Sequence, residues 1–84
     1  MKSAKEMFED LGYKEVDEWH NIIHYEQIVD EKLEQKHIIE FVLNHEFIYA
    51  ASKFGKFQYG AFNGIDIELL QAINKQVEEL GWYK

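Results

Sequence analysis

Eighty-four residues carrying a net charge of −7, with neither cysteine nor proline, set the first limits. The length suits one domain over residues 1–84 with a modest core, and the missing cysteine excludes disulfides and thiolate chemistry and fits a reducing interior. A hydrophobic share of 46% and an aromatic share of 15% argue for a folded chain rather than a disordered acidic one, while the acidic balance repels nucleic-acid phosphates and suits a basic partner or plain solubility.

The first predicted element is a helix over about residues 4–11. Ser3 followed by Glu6 makes a capping box, each side chain serving an orphan amide of the helix start. The helix stops at Leu11-Gly12-Tyr13, because a glycine just past the end adopts the left-handed conformation that lets later amides fold back onto unpaired carbonyls. That geometry brings Tyr13 near Phe8. The segment from Tyr13 to Glu18 has the character of a short edge strand.

Beyond it the apolar period changes from 3.6 to 2. Trp19 to Val29, rich in isoleucine and aromatics, reads as a strand, and Asp30 to Leu33 as a charged turn. Lys36 to Leu43 reads as the next strand, with Ile39, Phe41 and Leu43 on one face and Ile38, Glu40 and Val42 on the other. Asn44-His45 marks a turn. Glu46 to Ser52 alternates Phe47, Tyr49 and Ala51 against Ile48, Ala50 and Ser52. Lys56 to Phe62 reads as a fourth strand.

The last element is a helix over about residues 67–80. Asp66 is its cap, with Ile65 and Leu70 placed as a hydrophobic staple. Leu69, Leu70, Ile73, Val77 and Leu80 form its apolar stripe. It ends on Leu80-Gly81-Trp82, the same stop as the first helix, with Trp82 near Val77. Short links force antiparallel pairing. The expected fold is therefore α+β: an antiparallel meander of three to four strands with the N-terminal and C-terminal helices packed on one face.

Motifs for chemistry are sparse. His20 and His24 on a strand stand about 13 Å apart, at roughly 3.3 Å per residue, and cannot share an ion. A turn centred between Asp30 and Glu31 sets His24 opposite His37, but two histidines without a third ligand give no metal site. Ser3 and Ser52 are the only serines and there is no threonine. No glycine-flanked nucleophile, phosphate loop or separated carboxylate pair emerges. The expectation is no enzyme activity, no catalytic residue, no cofactor and no metal. No apolar run is long enough to span a membrane, and Met1 to Glu6 lacks the apolar stretch of a signal peptide, so a cytoplasmic protein is expected.

Lys53-Phe54-Gly55-Lys56-Phe57-Gln58-Tyr59-Gly60 interleaves lysine and glycine with aromatics. On an outer strand, Phe54, Phe57 and Tyr59, with Trp82, are the candidate partner-binding residues. The alternative over residues 53–62 is a nucleic-acid-linked regulator using Lys53, Lys56 and the same aromatics, which the negative charge disfavours. A further option is a homodimer joined through the last strand.

Ala4 to Tyr13 and Leu70 to Trp82, around a strand-rich middle containing Ile38-Ile39-Glu40-Phe41, resemble small uncharacterised proteins encoded by phages and prophages of Gram-positive bacteria. The resemblance implies an accessory phage protein, carries over no catalytic residue, and by analogy of class implies binding and inhibition of a bacterial host protein, defence enzymes included.

Overall fold

The computed structural model describes residues 1–56, 58–62 and 64–83. Its elements run α1 (Ala4–Asp10), β1 (Lys14–Val16), β2 (Ile22–Asp30), β3 (Gln35–Val42), β4 (Phe47–Phe54), β5 (Gln58–Gly60) and α2 (Ile67–Glu79).

Both helices begin and end as their sequences dictate. The Ser3 hydroxyl accepts from the Glu6 amide at 3.2 Å and the Glu6 carboxylate accepts from the Ser3 amide at 3.0 Å, completing the capping box. The Asp66 carboxylate caps α2 by accepting from the Leu69 amide at 2.8 Å. At the other ends the two stops share one geometry. Gly12 N–H donates to the Glu9 carbonyl and Tyr13 N–H to the Phe8 carbonyl; Gly81 N–H donates to the Glu78 carbonyl and Trp82 N–H to the Val77 carbonyl. Each is the paired-bond motif that a left-handed residue permits, and Gly12 and Gly81 sit at φ 88° and 72°. The predicted staple is not a buried contact: Ile65 and Leu70 are both exposed.

The five strands form one open sheet in the order β1-β2-β3-β4-β5, every neighbouring pair antiparallel. The meander follows from short links, which reach only the adjacent antiparallel position. The Tyr13–Glu18 segment supplies β1, a full partner for β2 over Lys14 to Val16. The β2–β3 turn is placed by Asp30, whose carboxylate accepts from the amides of Lys32 and Leu33 at 2.9 and 3.1 Å, an aspartate-built turn. A register shift between Ile28 and Asp30 accompanies it. Strand β2 starts at Ile22 rather than Trp19, because Asn21 takes a positive φ of 62° and breaks the extended run.

Alternation then sorts the strand side chains into two layers. Tyr25, Ile39 and Phe41 face the helices and join Phe8, Tyr13, Leu69, Ala72 and Ile73 in the core. The Phe8 ring stacks on Tyr25, with centroids 4.0 Å apart and planes 14° apart, and meets Phe41 and Tyr13 edge-on. The helices run antiparallel: the Ala4 amide, first in α1, donates to the Glu79 carboxylate at the end of α2 at 2.8 Å, an anion held at a helix start. A polar link crosses this core. The Tyr25 hydroxyl donates to the Gln76 side-chain carbonyl on α2 at 2.8 Å, which satisfies a phenol that burial would otherwise leave unpaired. Burial, with Glu15, Glu79 and Glu9 nearby, pushes the Tyr25 hydroxyl well above the usual tyrosine range. Burial and Asp66 together push Tyr13 up to about 12.

Two stability outcomes follow. A Cβ at Gly12 would come 3.2 Å from the Gln27 side-chain nitrogen, which donates to the Leu11 carbonyl at 2.7 Å; a Cβ at Gly81 meets nothing within 4 Å. Both Gly→Ala changes should cost about 1–2 kcal/mol for the left-handed backbone, with Gly12→Ala the costlier of the two in urea titrations because it also displaces Gln27. Gln76→Leu should cost about 1–3 kcal/mol by orphaning the Tyr25 hydroxyl. Adding Tyr25→Phe should recover part of that loss, and a double variant no more stable than Gln76→Leu would show that the hydroxyl is not what is missing.

Candidate functional site

The face of the sheet turned away from the helices is built by the other half of the alternation. It draws His24 and Glu26 from β2, Lys36, Ile38 and Glu40 from β3, Phe47, Tyr49, Ala51 and Lys53 from β4, and Tyr59 from β5. No described helix covers it. Trp19, in the loop before β2, folds over this face, its ring 4.7 Å from that of His24. Side chains rather than backbone layers therefore do the covering, and they do it unevenly: Ile38 is 3% exposed and His24 4%, whereas Trp19, Tyr49 and Tyr59 are 44%, 42% and 58% exposed. These residues, with Glu26, Glu40 and Lys53, enclose a hollow of about 310 Å³.

Its floor is a charged relay across two strands. His24 pairs with Glu40 in the β2–β3 register, and Nδ1 of its ring lies 2.7 Å from a Glu40 carboxylate oxygen. Nε2 lies 3.1 Å from a Glu26 oxygen, and the second Glu26 oxygen accepts from Lys36 Nζ at 3.3 Å. Carboxylates only accept, and a neutral imidazole has a single N–H, so the ring serves both neighbours when both its nitrogens carry protons. Desolvation acts to raise the Glu26 carboxyl, but the hydrogen bonds from His24 and Lys36 outweigh it and hold the group below the usual carboxylate range. Lys53 Nζ lies 5.7 Å from the centre of the Tyr59 ring, within cation–π range.

The four candidates read from the sequence do not converge. Tyr59 stands on the open face. Phe54 follows Lys53 by one residue and so points to the helix side, where its ring edge lies 3.3 Å from the position a Cβ on Gly60 would take. Trp82 is half-buried beneath the sheet, its ring 6.3 Å from Phe41. Phe57 lies outside the described residues. Lys56 is exposed in the turn before β5. Residues that the sequence reading did not place among the partner-binding candidates, Trp19, His24, Glu26, Ile38, Glu40 and Tyr49, make up most of the hollow. The alternation that places Ile38 and Glu40 opposite Phe41 was the signal available for them; the hairpin register was the missing piece.

That register also corrects the histidine pairing. His24 faces Glu40, not His37; His37 faces Gln27 and Ser52 and lies on the helix side. The turn falls at residues 31–34, with Glu34 at φ 53°, which moves the pairing by three positions and sends the two rings to opposite faces. His20 lies in the loop before β2. Among the described residues no group of three or more histidines and acids could hold a metal ion. No helix among them is long and apolar enough to cross a membrane. One further feature is the outer edge of β4: β5 pairs only with Ser52 to Phe54, and Phe47, Ile48 and Tyr49 beyond it are exposed.

No family model, curated protein or solved structure matches the chain. What the coordinates define is a class: an α+β domain whose five-stranded antiparallel meander has two helices on one face and an aromatic, charged hollow on the other.

His37, on the helix side, gives the fold a pH dependence. Its Nε2 and the Ser52 hydroxyl opposite are buried and bonded to no described protein atom, and burial lowers the ring below the ordinary value of 6.5. The unfolded chain therefore binds a proton that the folded one resists, so the contribution is present above about pH 6.5 and is lost as pH falls toward the folded value. Urea midpoints should drop between about pH 7 and about pH 5, and His37→Leu should flatten that slope. An unchanged slope in the variant would assign it to other groups.

Proposed function

We propose that this protein is a non-enzymatic binding module that engages a partner protein through the open face of its sheet. The observation that carries the reading is the hollow itself: exposed Trp19, Tyr49 and Tyr59 surround the buried Ile38 and His24 on a face that no described helix covers. Exposed aromatics around a buried centre of Ile38 and the hydrogen-bonded His24 have the make-up of interface anchors. Carboxylates on the same face and a net charge of −7 favour protein over nucleic-acid phosphates, although Lys53 and Tyr59 stand together as they would on a base-stacking platform. The resemblance of both termini to phage and prophage proteins supplies the setting: an accessory protein acting in the bacterial cytoplasm on a host protein, with inhibition of a defence enzyme as one outcome of such binding.

The test is a capture from Gram-positive lysate followed by the same capture with folded variants. Trp19→Ala, Tyr49→Ala and Tyr59→Ala should each weaken retention of a specific partner by about ten-fold or more, the scale of an interface anchor, whereas Phe54→Ala, on the other side of the sheet, should leave it unchanged. Loss with Phe54→Ala and retention with the three open-face variants would refute the assignment. Binding of single-stranded DNA or RNA at low salt, with a steep salt dependence, would move the function to nucleic acid.

A further inference from the structure

We infer that the hollow receives an arginine side chain of the partner, presented on a basic segment. The inference rests on the reading of the open face as the binding surface and names the chemistry that fits it. Three rings line the hollow: the indole of Trp19 and the phenols of Tyr49 and Tyr59. Aromatic faces attract cations, tryptophan most strongly. The protein demonstrates this on itself by holding Lys53 Nζ over Tyr59. That ammonium occupies the Tyr59 end; the Trp19 ring lies 4.7 Å from the His24 ring, and no described lysine stands over Tyr49.

A carboxylate stands at the same place. Glu40 gives one oxygen to His24 at 2.7 Å, and its other oxygen has no described partner. Glu26, by contrast, has both oxygens engaged, by His24 and Lys36. A guanidinium is planar, stacks on aromatic rings and presents a fork of donors to a carboxylate, while a lysine offers only a compact, strongly hydrated charge. The free Glu40 oxygen beside exposed rings therefore matches arginine better than lysine. The long-range field agrees: a chain of net charge −7 attracts a basic segment and speeds its encounter.

The probe is a short capped peptide, acetyl-Gly-Arg-Gly amide, titrated into the purified protein and followed by NMR. Its counterparts carry citrulline, which keeps the shape of arginine without the charge, or glutamate. The arginine peptide should shift the Trp19 indole N–H and the Tyr49 resonances at millimolar concentration, and citrulline and glutamate should leave them in place. Tyr49→Ala should weaken binding about two- to five-fold, the scale of an exposed cation–π contact, and Glu40→Gln should weaken it as well, while Tyr83→Ala, outside the hollow, should not. Citrulline binding as well as arginine, preference for the glutamate peptide, or no shift at the Trp19 indole would overturn the inference. Should the open-face variants lose the lysate partner while arginine leaves the hollow undisturbed, the arginine assignment falls and the protein-binding reading stands.

Discussion

Everything in this molecule depends on how a five-stranded sheet with both described helices on one side covers its two faces. A sheet has two faces and each must meet something other than bare water over its apolar part. The chain supplies two helices, and both go to the same side. Phe8 stacked on Tyr25, and Tyr25 tied to Gln76, fix α1 and α2 to one patch of that side, so a single core forms. The opposite face is left to its own side chains. It solves the problem by folding Trp19 across His24 and by burying Ile38 among its neighbours. The exposed rings that remain are the residue of that solution, and they are also what a partner would meet.

The helices and their limits were legible in the sequence because their signals are local. Ser3 with Glu6, Asp66, and the two Leu-Gly-aromatic stops each act within a few residues, and the structure places every one of them as the pattern requires. Strand faces were legible too: Ile39 with Phe41, and Phe47 with Tyr49, need only a period of two. Register was not. The pairing of His24 with Glu40 depends on where the β2–β3 turn falls, and a charged run such as Asp30-Glu31-Lys32-Leu33-Glu34 offers several turn positions. The Asp30 carboxylate and the left-handed Glu34 decide it. Because the hollow is assembled from four strands and a loop, an unread register hides it even when every strand is found. The same limit explains why an aromatic-rich stretch near β5 drew the functional reading away from Tyr49 and Trp19. Tyr59 pairs with Lys53, and Phe54, the next residue on that strand, faces the other way, so Phe54 and Tyr59 could not share a surface.

Polar groups divide the two faces in an instructive way. On the helix side they are few and individually matched, as with Tyr25 and Gln76, or unmatched and tolerated, as with His37 and Ser52. On the open side they form a chain from Glu40 through His24 and Glu26 to Lys36. A relay that holds its charges in hydrogen bonds loses little by lying near water, and it offers less net stability than an apolar core of equal size. It does give the face a rigid, shaped floor, since each member fixes the next. A binding surface needs that property more than it needs stability.

The two histidines of the central hairpin show how far environment outweighs residue type. Both lie on strands, thirteen positions apart, and both are largely covered. His24 is met by carboxylates at both nitrogens, Glu40 at 2.7 Å and Glu26 at 3.1 Å. His37 is met by the Phe62 ring at 4.7 Å and a serine, with a buried nitrogen that no described protein atom contacts, so its surroundings resist a charged ring. The difference arises from parity alone: an even and an odd position on paired strands face opposite sides of the sheet. A one-residue slip in the β2–β3 register would put the imidazole of His24 against Phe8 and Phe41 and bring the apolar core residues to the hollow. The Glu26 carboxylate would follow His24 into that core and lose water, and Glu40 on β3 would lose its His24 partner, so these polar groups help to pin the register, and the open face helps to specify the fold that exposes it.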